Sequence, residues 1–414
     1  MPRIAGSCGA SRGRARGGAT MRFLGRLRDK YRCAHLWTWF PVRRTLLVFA
    51  PESMEAVLLS DANAADPFLK KRALSRFIPD ALVISSGDEW RDRRAFNEHA
   101  LATGRLHEHC EAFKRTASRE AEQLTGERLN ELRWADFQSL GERISHQVIL
   151  GTGEIKPEIT AQLARMVRWS NFLLRHGSAF SAFYAQLERR LTLARPATPA
   201  ACLMHDSSAL RARGLVKDQT RMPTQIGFWF FVLKDALELH VARTLALIAA
   251  HPEVQTRVRD EIRASGTMTA QAIDGLHYLE ACLREQLRLW TPVPMLLRRA
   301  TRSFCLGDEI PIEAERQILI HAGFYHRDPR VFREFADKFS PDAAIANGFP
   351  TVYVFSAHRQ SCAGRSLATF LLKTTLASLL SRFRFELLAP KIDPSRIPYL
   401  YDHFSVRLRT VPDA

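Results

Sequence analysis

The sequence predicts a mostly α-helical fold with a minor β region. The chain has 414 residues, of which 46% are apolar, so it can form one large core. Residues 105–192 repeat apolar positions at helical spacing with few helix breakers, and residues 226–250 form the longest apolar run. Strand-like runs separated by turn residues are concentrated at 296–324. A helical domain with a small sheet in its last third accounts for these three observations.

The other elements are predicted from local signals. Because proline ends a helix, Pro292 and Pro294 stop the helix that begins near residue 276. The stretch 193–214 is rich in Pro, Ser and Ala, and predicts a mobile loop beside a pocket. The remaining predictions are a strand, a turn and a helix over 43–61, a polar helix over 85–104, an amphipathic helix after His251, and a helix running into a strand over 365–388.

Positive charge is concentrated at the N-terminus. The first fifty residues contain eleven Arg or Lys and one acid, which accounts for +10 of the formal net charge of +17. Residues 1–20 are rich in Gly, Arg and Ala and lack apolar periodicity, so we expect a disordered basic tail there. A single domain is expected over 21–414. Since most of the excess charge lies in the first fifty residues, no nucleic-acid partner is predicted, and a basic nucleic-acid binder stays only as an alternative.

The composition predicts a cytoplasmic protein without a membrane span. The seven cysteines are scattered and include no CxxC pair, which argues against a disulfide framework and a structural zinc site. No secretory hydrophobic region precedes Met21, which is an alternative start of the chain. The apolar run over 226–250 contains five residues that are unfavourable at bilayer depth: Lys234, Asp235, Glu238, His240 and Arg243. A buried helix therefore explains this run better.

The stretch "VFSAHRQSCAGRSLA", residues 354–368, places one cysteine just before a predicted helix. Cys362 lies where unpaired N–H groups and the helix dipole favour a thiolate, so these residues predict a sulfur of low pKa. Such a thiolate acts as a nucleophile, a redox sensor or a metal ligand, while an isolated cysteine is more often a small core residue. The stretch alone leaves these alternatives open.

Further motifs accompany this cysteine. Trp90 and Arg94 lie one helical turn apart in "GDEWRDRRAF", so both are able to face one anionic group. Glu285 and Arg288 lie three apart in "LREQLRLW" and share a helix face. The segments "PVPMLLRRAT", "GFYHRDPRVF" and "FADKFSPD" follow in that order. Taken singly, each arginine fits a solvated surface.

Taken in order, these motifs resemble the cytochrome P450 family of haem-thiolate monooxygenases, over roughly Thr45 to Phe404. The residues from Phe355 to Gly364 are similar to the family's haem loop, F-(G/S)-x-G-x-(R/H)-x-C-x-G. The resemblance implies a single haem-binding catalytic domain with the P450-like fold. It also implies haem b as cofactor and Cys362 as the axial ligand of the haem iron.

The resemblance assigns further residues around the haem. It implies a structural role for the pair Glu285 and Arg288, which locks the core behind the haem, although Ala343 stands where many members carry a third, basic member of this network. The loop departs from the family pattern because His358 replaces a usual Gly and Gln360 a usual Arg or His. The residues expected to contact the haem and its propionates are Trp90, Arg94, Arg298 or Arg299, His358 and Arg359.

The central helix carries the expected distal site. The segment 232–237 is similar to the family's A-G-x-(D/E)-T-T, and Asp235 supplies the acid, which we expect to be catalytic. Ala236 stands where the family usually has a threonine that helps to deliver protons, and Leu233 where a Gly opens the helix. The expected substrate-pocket residues are Phe228, Phe231, Val232, Val293, Met295 and Leu296.

The resemblance therefore implies monooxygenase-type hydroxylation or oxidation of a lipophilic small molecule with O2. A ferredoxin or a reductase would supply electrons and dock near the basic face around Cys362, and the protein is expected to be a monomer. Ala236 leaves two alternatives open: a peroxide-using or rearranging haem-thiolate enzyme, and a haem-binding protein without turnover.

Overall fold

The structure analysed is a computed structural model of the chain. The residues that it describes are 23–30, 35–40, 42–66, 74–127, 130–151, 157–170, 172, 174, 176–193, 201–307 and 310–412. The tail predicted over 1–20 lies outside these described residues.

Helices dominate the described chain, as the sequence predicts. A helical stretch at 23–30 precedes the numbered helices. These helices are α1 Pro51–Leu59, α2 Gly87–Ala100, α3 Cys110–Glu127, α4 Trp134–Ser145, α5 Pro157–Ser170, α6 Gly177–Leu193, α7 Leu203–Ala212, α8 Met222–Ala249, α9 Pro252–Ala264, α10 Ala270–Asp274, α11 His277–Leu289, α12 Ala322–Tyr325, α13 Pro329–Phe332, α14 Pro341–Ile345 and α15 Arg365–Leu380. One π-helical turn, His146–Leu150, continues α4.

The strands form three small sheets. They are β1 His35–Trp39, β2 Arg44–Val48, β3 Asn63–Ala65, β4 Glu131–Arg133, β5 Leu296–Ala300, β6 Phe304–Leu306, β7 Ile310–Ile312, β8 Gln317–Ile320, β9 Phe383–Ala389 and β10 Arg407–Pro412. The five-stranded sheet has the order β1-β2-β8-β5-β3, a second sheet the order β4-β10-β9, and β6 pairs with β7. Only the β2–β8 pairing is parallel among the described strand pairs. The first sheet thus joins the start of the described chain to the region that precedes the Cys362 loop.

Helix α8 runs through the largest hydrophobic core and packs most extensively against α4. The closest approach lies at Gly141, where an added Cβ would be 3.0 Å from the backbone O of Lys234 and 3.1 Å from the backbone N of Glu238. Because only glycine lacks this atom, Gly141 allows the two helices to approach so closely. Among the described helices, none is both long and apolar enough to cross a membrane.

Most predicted elements are confirmed. The run over 226–250 lies within α8 except for its last residue, and α11 ends at Leu289, before the two prolines. Strands β5 to β8 fall in the predicted strand-rich segment, and α15 is followed by β9 as expected. Within 105–192, helices α3 to α6 and the π-helical turn account for most of the described residues, and the short strand β4 among them was not predicted by the sequence.

The prediction of a loop over 193–214 is wrong for the part that the structure describes. Residues 194–200 lie outside the described residues, but helix α7 occupies Leu203–Ala212. Leu203, Ser207 and Leu210 recur at helical spacing and are buried, which places one face of α7 in the core. The Ser207 hydroxyl donates to the Leu203 carbonyl at 2.7 Å, so this polar residue is satisfied inside the helix.

Candidate active site

The Cys362 loop is closed by its own backbone. The Cys362 N–H donates to the Phe355 carbonyl at 2.9 Å, and a single 3₁₀ turn, His358–Gln360, lies between them. Ser356 and His358 have φ values of 59° and 52°, in the left-handed region that favours glycine. The family pattern places Gly or Ser at the first of these positions and Gly at the second. Residue 358 therefore keeps the left-handed backbone conformation that the family's glycine adopts readily, although this residue is a histidine.

Burial, not the helix dipole, sets the state of the Cys362 thiol. The residue has exposed surface, yet the surrounding protein desolvates the sulfur and raises its pKa above the ordinary value. A hydrogen bond from the Gly364 backbone and the charges of Arg94 and Arg365 oppose this shift without reversing it. The predicted low pKa is therefore wrong. A sulfur in this setting becomes a thiolate when a cation binds it, which favours a metal ligand over a nucleophile or a redox sensor.

Helix α2 and the turn that follows it hold the loop from one side. Hydrogen bonds connect them from the Arg94 guanidinium to the Ser361 carbonyl and hydroxyl, from Thr103 Oγ1 to the Ala363 carbonyl at 2.6 Å, and from Gly104 N to Ser366 Oγ at 3.0 Å. Arg94 also pairs with Glu98 at 2.6 Å, and the Arg359 guanidinium lies 5.9 Å from the centre of the Trp90 ring. The predicted pair Trp90 and Arg94 thus lies beside the cysteine loop.

Strand β5 holds the loop from another side through Arg298. Its guanidinium is buried, donates to Ser356 Oγ at 2.6 Å and to the Leu297 carbonyl at 3.3 Å, and has an Nε without a hydrogen-bond partner in the described structure. Burial lowers the pKa of Arg298 to about 10. No carboxylate among the described residues pairs with it, so a buried positive charge is left for an anionic group.

The two arginines that the sequence did not distinguish lie on opposite faces of β5. Neighbouring side chains of a strand point in opposite directions. Arg298 reaches Ser356 in the cysteine loop, whereas Arg299 binds Glu315 at 2.7 Å at the protein surface. Arg298 is therefore the arginine positioned at the loop.

His358 and Arg359 form an exposed cluster with Asp61, just after α1. His358 Nε2 lies 3.0 Å and Arg359 Nη1 lies 3.2 Å from Asp61 Oδ1. These two hydrogen bonds hold the pKa of Asp61 below its ordinary value. Both residues thus lie on the exposed side of the loop, where the Asp61 carboxylate binds them.

One face of α8 is less buried than the rest of the helix. Among the incompletely buried residues of this stretch, Phe228, Val232, Asp235 and Leu239 recur at spacings of three or four, and Phe231, Lys234 and Ala236 adjoin them. Val232 is 41% exposed although the neighbouring Leu233 is buried, and Val293, after α11, is 39% exposed. Val232 and Val293 are thus apolar side chains that the surrounding protein leaves uncovered.

Asp235 belongs to this incompletely buried face. Desolvation, and then the negative charge of Glu238, raise its pKa to about 7, while the Lys234 ammonium opposes the shift. Lys234 itself forms an ion pair with Glu238 at 2.9 Å. The Asp235 carboxyl is therefore about half protonated near neutral pH, which suits it to hold and donate a proton.

The other predicted pocket residues have different neighbours. Phe231 contacts Phe77 edge-to-face with ring centres 5.3 Å apart. Met295 packs against a small cluster around Leu24, Leu47, Phe49 and Leu319, and Leu296 packs against the core of the five-stranded sheet. Thus Val232 and Val293 are the predicted pocket residues with the most exposed apolar surface.

The pair Glu285 and Arg288 is completely buried. Two hydrogen bonds of 2.6 and 2.8 Å connect the guanidinium to both carboxylate oxygens. Arg288 also donates to four carbonyls that follow β8: those of His326, Phe335, Ala336 and Lys338. The pair therefore fixes α11 to the segment that leads to the cysteine loop.

Sequence reasoning missed the residues that connect these elements. Ser356 links Arg298 to the loop, and Thr103 links the end of α2 to Ala363. Ser356 occupies a Gly-or-Ser position of the loop pattern, so its identity was visible although its partner was not. For Thr103, no local signal distinguishes it from other threonines in a turn.

The comparisons with known proteins agree with this geometry. Residues 240–399 match the family model described as Cytochrome P450. The curated relatives include Cytochrome P450 4c3 of Drosophila melanogaster, 28% identical over 184 residues, which are 42% of this chain and 34% of the relative. They also include Cytochrome P450 714C2 of Oryza sativa subsp. japonica, 34% identical over 168 residues, which are 38% of this chain and 32% of the relative.

These curated matches span about a third of the length of each relative. The fold comparison extends further: the crystal structure of a cytochrome P450, CYP102L1, superposes with a TM-score of 0.75 over 95% of this chain and 98% of that chain, at 18% sequence identity. Its likeness shows that the chain has the cytochrome P450 fold. The chain therefore has the cytochrome P450 fold, and its residues 240–399, which include Glu285 and Arg288 and the cysteine loop, match the cytochrome P450 family model.

Proposed function

We propose that this protein is a haem-thiolate monooxygenase that hydroxylates or otherwise oxidises a lipophilic small molecule. The proposal rests on one observation: a cysteine thiol and a buried arginine are held at the same loop. Cys362 offers a sulfur that becomes a thiolate on binding a cation, and Arg298, attached through Ser356, offers a buried positive charge without an acid partner. Haem b, an apolar group with iron and two propionates, satisfies both, and the exposed apolar face of α8 suits its surroundings.

The residues of this chain then have distinct roles. When bound, the haem supplies the oxygen chemistry. Cys362 would ligate the haem iron, Arg298 would bind a propionate, and Trp90 and Arg94 would border the bound haem beside the loop. His358 and Arg359 already bind Asp61, so we assign them to the surface that a ferredoxin or a reductase approaches rather than to a strong propionate contact.

Proton delivery is the unusual part of this proposal. Ala236 has no hydroxyl, so the carboxyl of Asp235 is the proton-holding group on the exposed face of α8. A pKa of about 7 leaves it able to donate at neutral pH and to be protonated again from solvent. Val232 and Val293 provide apolar surface for a lipophilic substrate, as Phe228 does to a smaller extent.

Spectroscopy of the reduced protein with carbon monoxide tests the ligand assignment. The wild type is expected to give the Soret band typical of a thiolate-ligated haem, and Cys362→Ala is expected to lose it. The matched control is Cys305→Ala, which removes an exposed cysteine on β6 and should keep the band. A band unchanged in Cys362→Ala would overturn the haem-thiolate proposal.

A second candidate is a peroxide-using haem-thiolate enzyme, which the absent hydroxyl at Ala236 favours because peroxide already carries the protons that O2 lacks. Product formation is compared in two reactions, one with hydrogen peroxide and one with NAD(P)H, a reductase and O2. The monooxygenase proposal expects product in the second reaction and a loss of it in Asp235→Asn. Product formed only with peroxide would support the second candidate.

A further inference from the structure

A group of metal-binding side chains lies away from the cysteine loop, between α3 and α7. The ligand atoms of Glu108, His109 and Asp206 all lie within 4.8 Å of one another. His109 Nε2 is 3.0 Å from Asp206 Oδ1. Since His109 immediately precedes α3 and Asp206 is in the first turn of α7, the group joins segments that are 97 positions apart in the chain.

The histidine is held in position by the turn around it. The His109 backbone N–H donates to His107 Nδ1 at 3.1 Å, so the neighbouring nitrogen, His107 Nε2, carries the proton that it shares with the Ala100 carbonyl at 3.2 Å. The Phe113 ring packs against both imidazoles, with centre distances of 5.0 and 6.0 Å. His107 thus supports the turn, and His109 presents its Nε2 to Asp206.

The carboxylate of Asp206 is only half satisfied. Its Oδ1 accepts from His109, whereas its Oδ2 is buried and has no hydrogen-bond partner among the described residues. The nearest nitrogen, His107 Nε2, is 3.9 Å from Oδ2, too far for a hydrogen bond. A buried carboxylate oxygen without a donor is unfavourable, and a bound cation would satisfy it.

We propose that Glu108, His109 and Asp206 bind one divalent transition-metal ion, with zinc as the ion that fits best. One imidazole nitrogen with two carboxylates suits zinc, and hard magnesium or calcium sites use oxygen ligands only. Tetrahedral zinc with bonds of about 2.0–2.2 Å places its ligand atoms about 3.3 Å apart. The His109–Asp206 distance of 3.0 Å is near this value, and the exposed Glu108 side chain closes the remaining distance by rotation.

Zinc at this site connects the start of α3 to α7. Helix α7 packs against α6, α8 and the π-helical turn, so the ion restrains a helix that contacts the central helix. The site shares no residue with the cysteine loop. The proposed restraint on α7 therefore does not depend on the proposed oxidation reaction.

Calorimetric titration of the haem-loaded full chain with zinc chloride, after removal of metals by EDTA, tests the proposal. One zinc ion per chain is expected, together with a rise in the thermal unfolding temperature that EDTA reverses. Asp206→Asn keeps an acceptor for His109 but loses the charge, and is expected to weaken zinc binding by at least about 10-fold. Glu108→Gln, an exposed substitution that does not disturb the core, is expected to weaken it as well.

Asp61→Asn is the matched control. His358 Nε2 and Asp61 Oδ1 are also 3.0 Å apart, but the third group there is the cationic Arg359, which repels a metal ion. This variant should bind zinc as the wild type does. Absence of stoichiometric zinc binding by the wild type, or equal binding by wild type, Asp206→Asn and Glu108→Gln, would overturn the site. None of these readouts requires enzymatic turnover, so failure of the monooxygenase proposal would leave the result interpretable.

Discussion

Replacing Asp235 by asparagine should change how the stability of the protein depends on pH. The pKa of this carboxyl is raised from 3.8 to about 7, chiefly because burial disfavours its charged form. The folded state therefore binds the proton more tightly than the unfolded state does. The free energy of unfolding of the wild type should fall as the pH rises from about 4 to about 7, and the full loss should be present above pH 7.

The size of the effect follows from the shift. Three pKa units correspond to ~4 kcal/mol, since each unit is 1.36 kcal/mol. This is an upper value, because part of the side chain lies on the exposed face of α8. About 1.5 kcal/mol should be lost by pH 5, and nearly all of the rest by pH 7. Asp235→Asn has no carboxyl to ionise and should avoid this loss, so its advantage over the wild type should grow across this range.

Urea unfolding of haem-loaded wild type and Asp235→Asn at pH 4, 5, 7 and 8, followed by circular dichroism, measures the difference. The difference in free energy of unfolding should increase by about 3–4 kcal/mol between pH 4 and pH 8. Asp260→Asn serves as a control because it replaces a carboxylate that is exposed on α9. A difference between wild type and Asp235→Asn that does not change with pH would refute the burial of a titrating Asp235.

Three further substitutions test the packing around the site. Arg298→Met should raise the rate of haem transfer to apomyoglobin by about 10- to 100-fold, whereas Arg299→Met should change this rate little. Equal transfer rates in the two variants would contradict the assignment of Arg298. Gly141→Ala should lower the free energy of unfolding, measured in urea, by about 1–3 kcal/mol, because the new methyl group meets the backbone of α8. Gly177→Ala is the control: no atom lies within 4 Å of its new methyl group, so the free energy of unfolding should change by less than about 1 kcal/mol. Arg288→Lys should lower it by about 3–5 kcal/mol, because the three donors of a lysine ammonium cannot satisfy all the buried acceptors that Arg288 binds, and a loss below about 1 kcal/mol would show that the network is not needed.

Elements with strong local signals could be predicted from the sequence. The apolar run of α8 and the prolines after α11 act within a few residues, so the order of residues alone indicates them. The cysteine loop was recognisable because its pattern is contiguous. Its backbone explains the pattern: His358 occupies a left-handed conformation at a position where the family uses glycine.

Features that depend on distant residues could not be predicted. The thiol of Cys362 has a raised pKa because protein atoms from distant parts of the chain desolvate the sulfur, although the residue keeps exposed surface, and the helix terminus that the sequence shows does not reverse this shift. Helix α7 was missed because its burial against other helices, not its composition, stabilises it. The Glu108–His109–Asp206 group was missed for the same reason: its aspartate is far from the other two residues in the chain.

The cysteine loop is fixed by hydrogen bonds between protein groups, from Arg94, Thr103 and Gly104 on one side and from Arg298 on the other. These contacts lower the conformational entropy that remains to be lost when a cofactor binds, compared with a loop that the protein does not hold. Substitutions that loosen these hydrogen bonds should act on cofactor uptake before they act on the chemistry.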